Sequence, residues 1–135
     1  MNIKQFTKEI TVLMLALIVA VGSYLLWDRH TYHDTVNPKA ALTKASKTKA
    51  ATTLIFHKTG CADCRAVVTD VNRGIRNNAN TDYVVVDTKD SDLYKRYNVV
   101  SVPTIIKLHS GHEVSRYSGT NKAEIANILA GEAMR

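Results

Sequence analysis

Cysteine and proline are scarce in this chain, two of each in 135 residues. Two cysteines close at most one disulfide, which excludes a scaffold held by several bridges. They also fall short of the four ligands that a structural zinc site needs. A basic stripe interleaved with aromatics is missing as well. The formal net charge is +6, but lysine and arginine are scattered, with one cluster at Lys44, Lys47 and Lys49. No nucleic-acid partner is expected on that pattern; a solvated basic surface near an anionic membrane fits it better. Internal repeats and low-complexity segments are absent, so the length suits one ordinary domain plus an appendage.

The appendage is a run without charge. Residues 10–27, from Ile10 to Trp27, are uncharged and mostly apolar. Roughly 17–25 such residues span a bilayer, and Tyr24 and Trp27 suit a membrane–water interface. Residues 1–9 carry Lys4 and Lys8 against Glu9, which predicts a cytoplasmic n-region followed by a retained signal-anchor. A signal peptide cleaved near Ala20-Val21-Gly22 is the competing reading. A buried helix of a soluble domain is disfavoured, because the run is apolar on every face. The positive N-terminus places the following domain on the extracytoplasmic side of a cytoplasmic membrane, crossed once.

Behind the run, residues 28–50 read as a linker or weak first strand followed by an exposed helix that starts at Asn37-Pro38. The core is expected over 51–135. Thr53–His57 is a buried strand, and a helix from about Cys61 to Ile75 carries Cys64, Val67, Val68, Val71 and Ile75 on one stripe. Tyr83–Val86 is a continuous β-branched strand of the kind buried on both faces. Asp90-Ser91-Asp92 caps a short helix through Tyr97, with Asp87 and Asp90 in capping rather than acid–base roles. A strand opened by Pro103 turns at His109–His112 into a hairpin partner, Glu113–Tyr117. Asn121 then caps a last helix bearing Ile125, Ile128 and Leu129. Strand–helix–strand first and a hairpin later predict an α/β mixed sheet with helices on both faces.

The two cysteines stand where the first core strand hands over to its helix, as Cys61-Ala62-Asp63-Cys64. One thiolate attacks a disulfide and a second, one turn on, resolves the mixed disulfide; a helix N-terminus favours the negative charge this requires. A purely structural bridge is the plain alternative. Its loop is so short that the entropic gain is small. Soft-metal binding by the thiolate pair is a second alternative, with only His57 near in sequence as a further ligand. No metal and no organic cofactor are expected. His30, His33, His109 and His112 read as solvated surface, and Tyr83, Tyr94, Tyr97 and Tyr117 as half-buried packing.

In this order of elements the chain resembles the thioredoxin family. Cys61-x-x-Cys64 near a βαβ pattern, Val102-Pro103-Thr104 opening the strand before the hairpin, and Gly119 before the last helix carry the resemblance over about residues 50–134. It implies a thioredoxin fold with a mixed four- to five-stranded sheet. It also implies that Cys61 attacks, Cys64 resolves from a more buried position, and Pro103 follows a cis peptide bond. The backbone of Val102 would pair with an extended substrate. Four positions depart from the family. Gly60 stands where thioredoxins proper have tryptophan, Ala62-Asp63 replaces the usual middle pair, and Ile55 occupies the place of a buried acid. The chain thus looks more like small membrane-tethered thioredoxin-like proteins of bacteria, some of which assist secretion or bacteriocin export.

The expected activity is thiol–disulfide exchange with protein thiols and disulfides at the outer face of the membrane. The expected protein is a monomer that draws on a redox partner protein. Reductase, oxidase and isomerase directions stay open. Asp63 disfavours a Cys61 thiolate, whereas Lys58, Arg65 and a protonated His57 favour it. From a different class comes the alternative of a non-catalytic accessory protein of a secretion or transfer assembly, using the same fold for protein binding.

Overall fold

A computed structural model describes residues 2–131. They fall into two units that divide between Thr31 and Tyr32. The first unit holds a single helix, α1 (Ile3–Arg29). At about 1.5 Å per residue its 27 residues reach roughly 40 Å, enough for a bilayer core. Its large apolar side chains are all exposed. By length and composition it is a candidate membrane span.

The second unit is the folded domain. Its elements are α2 (Pro38–Lys47), β1 (Ala51–His57), α3 (Ala62–Asn77), β2 (Asp82–Asp87), α4 (Leu93–Arg96), β3 (Thr104–His109), β4 (His112–Ser118) and α5 (Lys122–Ala130). The four strands form one sheet in the order β2-β1-β3-β4. Strands β1 and β2 are parallel, with Ile55 opposite Val85; β3 runs antiparallel to both β1 and β4. This is the mixed sheet expected of the thioredoxin fold, at four strands.

Alternation along β1 divides the core. Leu54 and Phe56 point to one face, where they meet Val84, Val86 and Ile106 under Leu42 of α2 and Leu93 of α4. Ile55 points to the other, under Val67 and Val71 of α3 and Ile125, Ile128 and Leu129 of α5. A strand buried on both faces must be apolar at consecutive positions, as Leu54-Ile55-Phe56 is. The expected stripe on α3 is the buried one, with Ile75 at its half-buried end. Gly74 does more than weaken that helix. A Cβ there would lie 2.3 Å from Leu129 Cδ1, so its absence lets α5 pack close.

One boundary differs from the sequence reading. The folded domain begins at Tyr32 rather than at 51, because residues 32–36 and α2 are bonded and packed onto it. Thr35 donates its N–H to Val85 O at 2.9 Å and accepts from Val85 N through Oγ1 at 3.0 Å. The weak first strand is therefore a short run of contacts on the outer edge of β2. Helix α2 is not simply exposed either: Leu42 and Ala45 are buried. A single leucine in an Ala/Lys-rich helix is a faint signal, yet one apolar anchor is enough to dock it. At α4, Ser91 Oγ rather than an aspartate accepts from the first turn, from Leu93 N at 3.3 Å. The hairpin turn Ser110-Gly111 has φ of 53° and 80°, the positive pair that a two-residue primed turn requires.

Candidate active site

Strand β1 ends at His57 and α3 begins at Ala62, leaving four residues to turn the chain. Gly60 makes the turn at φ 86°, where a side chain would be strained. Cys61 then becomes the N-cap of α3. Its Sγ accepts a hydrogen bond from Cys64 N at 3.3 Å. The sulfur thus partners a first-turn N–H that the helix itself leaves unsatisfied, at the positive end of the helix dipole.

The two thiols are free and unlike. Cys61 is partly exposed, whereas Cys64 is 1% exposed on the inner face of α3. Burial pushes the Cys64 thiol up to about 12, aided by its hydrogen bond with Cys61 and by the charges of Cys61 and Asp63. A group of that kind stays protonated at neutral pH until the chemistry changes its neighbour. One accessible sulfur and one shielded sulfur are what sequential attack and resolution need.

Val102 and Pro103 come to the same place. The Val102–Pro103 bond is cis, and Cys61 Sγ lies 3.9 Å from Val102 O. Gly119 N–H donates to Pro103 O at 3.2 Å; with φ of 142° and Tyr117 Oη 2.8 Å from a would-be Cβ, only glycine fits there. A groove of about 290 Å³ opens beside Val102, lined by Lys58, Thr88, Tyr94, Val99 and Val100. Val100 is 98% exposed and gives this groove an apolar wall.

Three residues beneath the pair were not singled out in the sequence as parts of a site: Tyr32, Asp34 and Asp87. Tyr32 Oη donates to Cys64 O at 2.7 Å. Its ring stacks on His57 with centroids 4.2 Å apart and planes 14° from parallel. Burial, with Cys64 and Cys61 beside it, raises the phenol's ionisation far above the tyrosine range, so it remains a donor. His57 is buried and hydrogen-bonds Asp34 through Nε2. Asp87 is the third member: ligand-type atoms of Asp34, His57 and Asp87 all lie within 4.8 Å of one another. A metal would have to displace existing bonds there, since Asp87 accepts from Thr59 N at 3.2 Å, from Thr59 Oγ1 and from Lys89 N at 2.8 Å. The set reads as a hydrogen-bonded charge cluster. Only His57 carried a sequence signal, by its nearness to Cys61; Tyr32 and Asp34 lie more than twenty residues away.

Asp87 gives a pH prediction. Burial opposes its ionisation, but hydrogen bonds from Thr59 and Lys89 and the His57 charge outweigh that, holding its carboxyl below the usual carboxylate range. A folded value below the unfolded one stabilises the fold above about pH 4. That contribution is lost as pH falls through the folded value. Urea unfolding of the wild type and Asp87→Asn should therefore differ clearly at pH 7, and the gap should narrow below about pH 4. An equal gap at pH 7 and pH 3 would contradict the assignment.

A family model described as thioredoxin matches residues 34–131. The chain is 26% identical over 79 residues to a thioredoxin of Echinococcus granulosus, covering 58% of this chain and 74% of that one. Among solved structures it resembles thioredoxin NaTrxh of Nicotiana alata, with TM-score 0.67, 21% identity, and 76% and 90% of the two chains covered. It also resembles a thioredoxin of Fasciola hepatica, with TM-score 0.62, 22% identity, and 70% and 93% covered.

Proposed function

The chain belongs to the thioredoxin family, and from that premise we propose that it is a membrane-anchored thiol–disulfide oxidoreductase acting on protein thiols and disulfides. The observation that carries the reading is the asymmetric pair: Cys61 partly exposed at a helix N-terminus, Cys64 buried one turn on. Cys61 Sγ attacks a substrate disulfide, forming a mixed disulfide and releasing one substrate thiolate. Cys64, on losing its proton, attacks Cys61 Sγ; the Cys61–Cys64 bond forms and the second substrate sulfur leaves. The reverse sequence oxidises a dithiol substrate. Val102 and the groove beside it receive the substrate as an extended strand. Cys61 and Cys64 are the catalytic residues, Val102 and Pro103 the substrate-binding ones, and no cofactor is required.

Helix α1 serves as a single-pass signal-anchor over residues 10–27, following a cytoplasmic segment 1–9. The folded domain lies outside a bacterial cytoplasmic membrane, where a redox partner protein recycles it. Activity is tested by insulin reduction and by oxidative refolding of a reduced substrate, using the full chain in detergent. Turnover no greater than that of a variant lacking both cysteines would sink the enzyme reading. Topology has its own test. A membrane-impermeant maleimide should label Cys61 on intact cells to the same extent as after lysis. Labelling that appears only after lysis would place the domain inside.

A further inference from the structure

Both flanks of the cysteine pair are tied to one polar cluster. On one side, Tyr32 Oη holds Cys64 O, in the first turn of α3, at 2.7 Å. On the other, Asp87 holds the turn before Cys61 through the backbone and hydroxyl of Thr59. His57 joins the two: it stacks under the Tyr32 ring, bonds Asp34, and sits against Asp87. In the same region Ile55 is fully buried among the side chains of α3 and α5 and offers no polar contact.

We propose that Tyr32 and His57 are positioning residues, the two halves of a clamp that holds Cys64 within reach of Cys61 and thereby sets how readily the pair closes into a disulfide. Tyr32 lies outside the segment 34–131 that matches the family model, whereas His57 and Asp34 lie within it. Its chemistry is that of preorganisation. A thiol fixed near its partner acts at a high effective concentration, and loosening it makes closure less favourable. Tyr32 makes its hydrogen bond to a carbonyl, not to a sulfur, so it acts by placing the turn. His57 acts one step further back, by placing the ring.

The clamp rests on the proposed redox function, and a glutathione equilibrium separates the two ideas. In that equilibrium the pair attacks glutathione disulfide, a glutathionylated Cys61 forms, and Cys64 displaces glutathione to close the Cys61–Cys64 bond. Two glutathione thiols are produced for each disulfide consumed. The full chain in detergent is equilibrated across glutathione buffers, alkylated, and weighed by mass spectrometry. Tyr32→Phe keeps the stacked ring and removes the donor. His57→Phe keeps a ring and removes the link to Asp34. Each should lower the closure constant about tenfold, equivalent to about 30 mV for a two-electron couple, and raise the fraction of glutathionylated protein. Asp34→Asn, at the half-exposed end of the cluster, should shift it in the same direction with little risk to folding. Urea unfolding run in parallel identifies a merely structural effect. Variants that lose stability yet close as the wild type does would overturn the clamp. If the wild type itself never forms the disulfide, the redox function falls, and the clamp with it.

Discussion

Cys61→Ser should abolish disulfide exchange, with a rate loss of more than about a thousandfold, or roughly 4 kcal/mol of barrier. A serine hydroxyl is not ionised at neutral pH and cannot replace the thiolate that attacks. The fold should survive, because Cys61 is partly exposed and its side chain caps α3 through a bond that serine also makes. Cys64→Ser is the contrasting case. The attacking sulfur remains, so the first step proceeds and the mixed disulfide then accumulates for want of a resolving thiol. Non-reducing gels with a disulfide-bonded substrate distinguish the two: no adduct for Cys61→Ser, a persistent adduct for Cys64→Ser. Adducts forming equally on both would refute the assignment of attack to the exposed sulfur. An intact biological role in the Cys61→Ser strain would favour an accessory protein that uses the fold only for binding.

The second large effect concerns stability. Phe56→Ala should destabilise the folded domain by about 3–5 kcal/mol, a large share of the roughly 5–15 kcal/mol that holds an ordinary domain together. Phe56 is fully buried and meets Leu54, Val84, Val86 and Ile106 in the core, with the Tyr97 ring 6.1 Å away. Removing the ring takes away its transfer free energy and leaves a cavity that a sheet hydrogen-bonded on both sides cannot collapse to fill. By contrast, Val100→Ala lies on a residue that is 98% exposed and should stay within about 0.5 kcal/mol. Urea unfolding of the full chain in detergent measures both. Comparable losses at the two positions would mean that the division between core and groove is misplaced. Phe56 also neighbours His57, so its loss should weaken the support beneath the cysteines.

Those contrasts show what kind of information each level holds. The cysteine pair, the valine stripe of α3, the continuous apolar run of β2 and the Asn121 cap were legible in the sequence. Each is a local pattern, fixed by the period of a helix or strand or by one side chain reaching a nearby N–H. Asn121 shows this well: its Oδ1 accepts from Ala123 N and Glu124 N at 3.0 and 3.2 Å. The order of these elements then limited the fold to a mixed sheet between helices, because a parallel pair needs a crossover and a hairpin does not.

Other features had no local pattern to read. Leu42 is buried only because β1 and β2 offer its helix an apolar face. Asp87 looked like a strand-end cap; it is also an anchor for Thr59, 28 residues earlier in the chain. Tyr32 stood in an apparent linker, yet its hydroxyl reaches Cys64 O across 32 residues. By itself the sequence determined the position of the cysteine pair and the scaffold that carries it, since spacing along a strand or helix sets both. Only the tertiary structure decided what surrounds the sulfurs. Burial of one thiol, exposure of the other and the polar cluster beneath them arise from contacts between distant segments, which no local periodicity encodes.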